Sequence, residues 1–226
     1  MSGIQTSSFV KKLAANDRRT REAAIESLKN YLKNSKKLSD LDYQKLWKGL
    51  FYSMWFSDRP RPQQRLANNL GLLYYETIPL SKFISFLKAF YFVISKEWSG
   101  IDQWRIDKFY MLIRKVVYYS LKRLQKEQFD TNLMEEYIKA LSEIPLNGSH
   151  KIPSAIPYHL CDIYLDELEK IMFEDLQEEE EEEEAKRKEI IENTPIQKLL
   201  KPFQDLAKNA NLKTLRKKIS QDFLQD

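Results

Sequence analysis

Glycine is scarce in this chain: five occur in 226 residues, standing singly at Gly3, Gly49, Gly71, Gly100 and Gly148. A loop that cradles phosphate needs several glycines close together so that backbone N–H groups can converge on the anion. Neither a P-loop nor a dinucleotide fingerprint can therefore be written on this sequence. Histidine and cysteine are scarcer still, with His150, His159 and Cys161 the whole supply. A structural zinc site draws four such ligands from short spacings, and a thiol nucleophile needs a base and an orienting partner; the sequence offers neither. One cysteine closes no internal disulfide, and MSGIQTSSFVKK at the start lacks the apolar centre of a signal peptide, which points to a cytosolic or nuclear protein. The most apolar stretch, residues 83–94, is interrupted by Ser85 and Lys88 and falls short of the roughly 20 residues a bilayer requires. No catalytic residue, metal ligand, cofactor, small-molecule substrate or membrane contact is assigned.

Strand-like alternation is also missing, whereas apolar residues return every three or four positions along most of the chain. With 42% hydrophobic and 12% aromatic residues there is enough to build a core, and its period is helical. Caps at Thr6, Ser7 or Ser8, at Asn16 or Asp17, at Ser39 or Asp40, and at Asp130 or Thr131 mark successive starts. Pro79, Ser99-Gly100, Pro145 and Asn147-Gly148 mark the breaks. The longest helix is expected from Asp102 to about Lys126, and a nearly all-apolar one over residues 80–98 belongs at the centre of the fold. Paired helices on short connectors, recurring roughly every forty residues, predict an all-α, irregular HEAT-like array of antiparallel helix hairpins. The expected organisation is a helical-repeat domain over residues 1–173, an acidic linker or helix extension over 174–192, and a tail of short amphipathic helices over 193–226.

The chain is organised around residues 46–70, LWKGLFYSMWFSDRPRPQQRLANNL. Trp47, Phe51 and Trp55 recur every fourth residue with Leu46, Leu50 and Met54 beside them, so this helix must bury a broad aromatic face. Gly49 inside it invites close approach of another backbone. Arg59-Pro60-Arg61-Pro62 then follows, and because a proline pushes its predecessor toward extended geometry, both arginines are expected on a short stiff connector ahead of a second helix from Gln63 to Leu73.

Charge is segregated. Residues 1–173 carry 27 Lys and Arg against 19 acids, residues 174–184 carry nine acids and no base, and residues 185–226 carry ten bases against five acids. A basic body with an acidic insert suits a protein that meets a polyanion, although solvated charge blocks look the same. The candidate contacts for RNA or a partner are Arg18, Arg19 and Arg21, which crowd a helix N-terminus against its dipole, together with Lys48, Arg59, Arg61 and Arg65. Each has a plainer alternative: a solvated helix start for the first three, and arginines that pin the corner to Asp58, Glu76 or neighbouring carboxylates for the rest. His159, Asp162 and Asp166 share neighbouring turns and would let a cation bind, but a solvated polar face accounts for them better. In the tail, Leu199 and Phe203, then Leu212, Leu215, Ile219 and Phe223, form stripes too short to hold a helix alone in water, so they are expected to dock on their own domain or in a partner's groove. Residues 213–218 form a basic patch of the nuclear-localisation kind.

The string from Leu46 to Leu70, with LAANDRRTREAAIESLKNYL (13–32), EWSGIDQWRIDKFYMLIR (97–114) and IPYHLCDIYLDELE (156–169), resembles the ribosomal RNA-processing protein 1 family over roughly residues 9–172. That resemblance implies a non-enzymatic assembly factor of nucleolar large (60S) ribosomal subunit precursors, required for pre-rRNA processing. It implies a place in the nucleus and nucleolus, and as partners pre-ribosomal RNA and other assembly factors, among them a Brix-domain and a WD-repeat protein. The alternative left by the residues alone is a helical adaptor that binds proteins only.

Overall fold

A computed structural model describes residues 8–35, 38–176 and 183–223. Among them are eleven α-helices and no strand. The chain divides into two compact units, Met1–Tyr119 and Ser120–Asp226, the division falling inside one long helix.

The first unit holds α1 (Ser8–Leu13), α2 (Arg18–Asn34), α3 (Asp40–Trp55), α4 (Pro60–Leu72), α5 (Leu80–Glu97) and the first two-thirds of α6 (Ile106–Lys126). Its helix starts are fixed locally. Asp17 accepts the Thr20 N–H at 2.8 Å and the Thr20 hydroxyl at 2.7 Å, bonds that hold its carboxyl below the usual range. Ser39 and Asp42 close a reciprocal capping box on α3. The aromatic face of α3 lies along α5. Trp47 is fully buried, with its ring centroid 4.8 Å from Phe90, 5.1 Å from Phe86 and 6.2 Å from Tyr74, while Phe51 stacks on Phe109 of α6 at 4.5 Å. Each such pair adds about 0.5–1.5 kcal/mol to the area it buries. Between α4 and α5 the chain makes a π-helical turn, Leu73–Thr77, closed by Ile78 N–H on the Leu73 carbonyl at 2.8 Å.

The corner after α3 differs from the sequence expectation. Arg59 is extended (φ −95°, ψ 137°), but α4 begins at Pro60, so Arg61 sits in its first turn and not on a connector. The first N–H groups of a helix have no intrahelical acceptor, so prolines there forfeit nothing and bring a preset φ. That gain outweighs the pre-proline bias against helix at Arg61. A close backbone approach occurs at Gly71: a Cβ there would lie 2.8 Å from the Lys115 carbonyl oxygen and 2.8 Å from Tyr119 Cδ2.

The second unit holds the end of α6, α7 (Thr131–Glu143), α8 (Ala155–Phe173), α9 (Glu183–Asn193), α10 (Ile196–Asn209) and α11 (Lys213–Phe223). Asp130 caps α7 through the Leu133 N–H at 2.9 Å. Helix α8 starts at Ala155, with Pro157 in its first turn, where again no donor is lost. α10 packs on α7 and α11, and α11 packs on α8. Phe203 is fully buried, 4.8 Å from Tyr164 and stacked on Phe223 at 4.5 Å. Lys218 clips α11 to α8 through Asp162 at 2.7 Å while also meeting Asp222 at 2.9 Å, and these two hydrogen bonds raise its pKa. Thr6, Ser7 and most of the glutamate run 178–184 lie outside the described residues.

Candidate nucleic-acid interface

The last carbonyls of helix α3 have no intrahelical donor, and the first unit supplies one from α6. Lys108 is 5% exposed and donates its ammonium to the Trp55 carbonyl at 2.7 Å and to the Ser57 carbonyl at 2.9 Å. A cation at a helix C-terminus complements the negative end of the dipole. Burial lowers the Lys108 pKa to about 8, with Asp58 opposing that fall and Arg105 adding to it. From the other side, Gln63 Nε2 of α4 donates to the same Ser57 carbonyl at 2.8 Å. Arg105 lies over the Trp55 ring at 4.9 Å and pairs with Asp102. The start of α4 and the start of α6 are thus fastened to one carbonyl at the end of α3. At their far ends Tyr119 donates to Asn68 Oδ1 at 3.0 Å and Gly71 abuts Lys115, so the two helices run side by side in the same sense.

This frame sorts the candidate cations. Arg59 at the N-cap and Arg61 and Arg65 on the first two turns of α4 are all exposed, and among the described residues no guanidinium of the three makes a hydrogen bond or ion pair. Among the described residues no ion pair joins these arginines to Asp58 or Glu76; Lys108 and Gln63 fasten the corner. Arg65 also lines an open groove of about 570 Å³ with Glu22, Gln64, Asn68, Asn69, Met111 and Lys115. Such a surface offers planar cationic donors beside neutral amides, the pairing used on phosphates and on base or ribose edges.

The remaining candidates lie elsewhere. Arg18 is exposed and holds Glu22 at 2.6 Å, a side chain that borders the same groove. Arg19 is exposed. Arg21 turns back to donate to the carbonyls of Ala15 at 2.7 Å and Asn16 at 2.8 Å, closing the α1–α2 turn. Lys48 is half-buried in an ion pair with Glu97 at 3.0 Å. In the second unit Leu199, Phe203, Leu215, Ile219 and Phe223 are buried on their own chain, while Leu212 precedes α11 and is 38% exposed.

Two residues at this end of the unit carry no distinguishing mark in the sequence. Lys108 reads as one more lysine on an amphipathic helix, and Trp104 reads as one more core aromatic; the structure buries the lysine and leaves the tryptophan 85% exposed. Among the described residues no group of three or more His, Cys, Asp or Glu stands ready for a metal, and Asp162 is engaged by Lys218. Burial pushes the Cys161 thiol up to about 12, so it stays protonated.

The profile of a family described as "Nucleolar protein, Nop52" matches residues 4–226. The chain is 34% identical to the ribosomal RNA processing protein 1 homolog A of Mus musculus over 168 residues, 72% of this chain and 34% of that protein. Its identity to the Homo sapiens homolog A is 34% over 173 residues, 74% of this chain and 38% of the relative. The Caenorhabditis elegans ribosomal RNA processing protein 1 homolog is 32% identical over 164 residues, 71% of this chain and 41% of that protein. The chain therefore spans little more than a third of the length of the mouse and human relatives it matches.

Proposed function

Because this chain belongs to the Nop52 family of nucleolar proteins, we propose that it serves ribosome biogenesis as a non-catalytic assembly factor of large-subunit precursors, required for pre-rRNA processing. It acts in the nucleolus as a helical scaffold, holding pre-ribosomal RNA on one face and other assembly factors elsewhere. Those factors include a Brix-domain and a WD-repeat protein, as the resemblance implies. The observation that carries the RNA contact is the set of three unpaired guanidiniums at the start of α4, of which Arg65 borders an amide-lined groove. Lys108 and Gln63 fix the start of α4, so the backbone beneath the cations has little freedom left to lose on binding.

The experiment is Arg59→Glu with Arg61→Glu. Acids in the first turn of a helix favour its dipole, so the melting temperature is expected to hold or rise slightly. Incorporation into precursor particles is expected to fall. In parallel, each lost phosphate contact lowers the slope of log affinity against log salt by about 0.7 on single-stranded RNA, so the double variant should lose about 1.4. A double variant that enters particles and binds RNA as the parent does contradicts the proposal. Parent protein without RNA affinity at moderate salt leaves the protein-only adaptor in its place.

A further inference from the structure

Trp104 is the exposed exception among four tryptophans: Trp47 is 1% and Trp98 7% exposed, Trp55 is half-covered beneath Arg105, and Trp104 stands 85% in solvent. Its backbone is nevertheless fixed. Asp102 Oδ1 accepts the N–H groups of Trp104 at 3.0 Å and Arg105 at 3.1 Å, and the next turn is locked by Arg105 on Trp55 and by Lys108 on two carbonyls. A large ring on a rigid base loses little freedom when something stacks on it.

Its position follows from the shared carbonyl of Ser57. Arg59 lies four residues before Gln63, and Trp104 four residues before Lys108; Gln63 and Lys108 both donate to that one oxygen. Trp104 is therefore at the same end of the unit as the free arginines, one turn beyond the point where α4 and α6 are joined. The exposed side chains of this end are chiefly polar, with Gln103, Asp107, Asp58, Arg59 and Arg61 in solvent and Phe56, 47% exposed, the other large apolar group. An exposed tryptophan can anchor a protein partner as well as a base, and the unpaired guanidiniums at this end favour the anionic ligand. A bare ring at the same end of the unit as three unpaired guanidiniums, with the acids Asp58 and Asp107 also exposed there, matches a ligand that is aromatic and anionic at once.

We infer that Trp104 is a stacking platform for an unpaired base of RNA, with Arg59, Arg61 and Arg65 holding the phosphates of the same single strand. The inference rests on the RNA contact proposed above and narrows it to single-stranded RNA. A duplex keeps its bases stacked on one another and leaves none for the indole.

The test uses the full chain with a twelve-nucleotide oligouridine and a twelve-base-pair RNA duplex, read by intrinsic tryptophan emission and by titration. Oligouridine is expected to quench the emission, since the responsive indole is the exposed one, and Trp104→Phe is expected to bind with most of that quench gone. Trp104→Ala is expected to weaken oligouridine binding roughly 5- to 150-fold with an unchanged melting temperature, and duplex binding is expected to be weaker and to quench little. If Trp104→Ala binds oligouridine like the parent while Arg59→Glu with Arg61→Glu does not, the stacking inference is overturned and the arginine contact stands. If the parent binds neither RNA, both fall. If Trp104→Ala keeps RNA affinity but recovers particles lacking a protein component, Trp104 belongs to a protein interface and the inference is likewise overturned.

Discussion

The Lys108 ammonium stands where helix α3 runs out of internal donors, 2.7 Å from the Trp55 carbonyl and 2.9 Å from that of Ser57. Its burial has a consequence for pH. The unfolded chain keeps this proton up to about the ordinary lysine value of 10.5, whereas the folded chain releases it near 8. Between these values the unfolded state carries more protons, so this residue's contribution to stability rises with pH from about 8 to 10.5 and is constant below 8. Lys108→Met removes both donations and is expected to destabilise the chain by about 1–3 kcal/mol at pH 7, chiefly through the Trp55 carbonyl, since Ser57 keeps its bond from Gln63. Urea unfolding of parent and variant at pH 7, 8, 9 and 10 checks both parts: the gap between them should widen as pH climbs. A constant gap would show that Lys108 titrates as a solvated lysine. No periodicity marks this lysine, because its burial is set by where α3 ends, fifty residues earlier in the chain. Trp104 is illegible for the same reason in reverse, since an indole beside an amphipathic helix reads as core until the fold leaves it uncovered.

Among the elements, starts are the most legible and corners the least. Asp17, the Ser39 and Asp42 box and Asp130 cap helices where short-range chemistry says they should. The Arg59-Pro60-Arg61-Pro62 segment was open to two local rules that conflict. Pro60 favours a helix start and Pro62 disfavours helix at Arg61, and the structure resolves them toward helix. The outcome bears on function, because a helical first turn sets Arg61 and Arg65 one turn apart on a rigid rod. That rod is placed by Gly71, whose missing side chain lets α4 meet the backbone of α6. Gly71→Ala improves helix propensity by about 1 kcal/mol, yet its methyl would press on the Lys115 carbonyl, which cannot swing aside. The net expectation is a loss of about 1–3 kcal/mol in urea unfolding, with reduced RNA affinity as α4 shifts. A stabilised Gly71→Ala variant would contradict the close packing of these helices. The tail shows the complementary case. Its apolar stripes were legible as docking surfaces, but their acceptor was not, since it depends on Tyr164 and on α7, which sequence spacing does not connect to Phe203.

At the scale of the whole molecule the sequence carried the all-α class and the aromatic centre, and the resemblance carried the membership of the nucleolar Nop52 family. The division at Tyr119 and Ser120, inside an unbroken helix, left no trace in composition. What the molecule presents is a set of helices without clustered reactive groups among the described residues, a thiol held protonated, and one rigid end bearing free arginines and a bare indole. Its central claim is that this end holds pre-ribosomal RNA inside nucleolar precursor particles. The most direct measurement is ultraviolet crosslinking of those particles with the attached nucleotides mapped to residues. RNA adducts are predicted on peptides covering residues 55–65 and 102–115; adducts confined to other segments, with only protein crosslinks on this end, would contradict it.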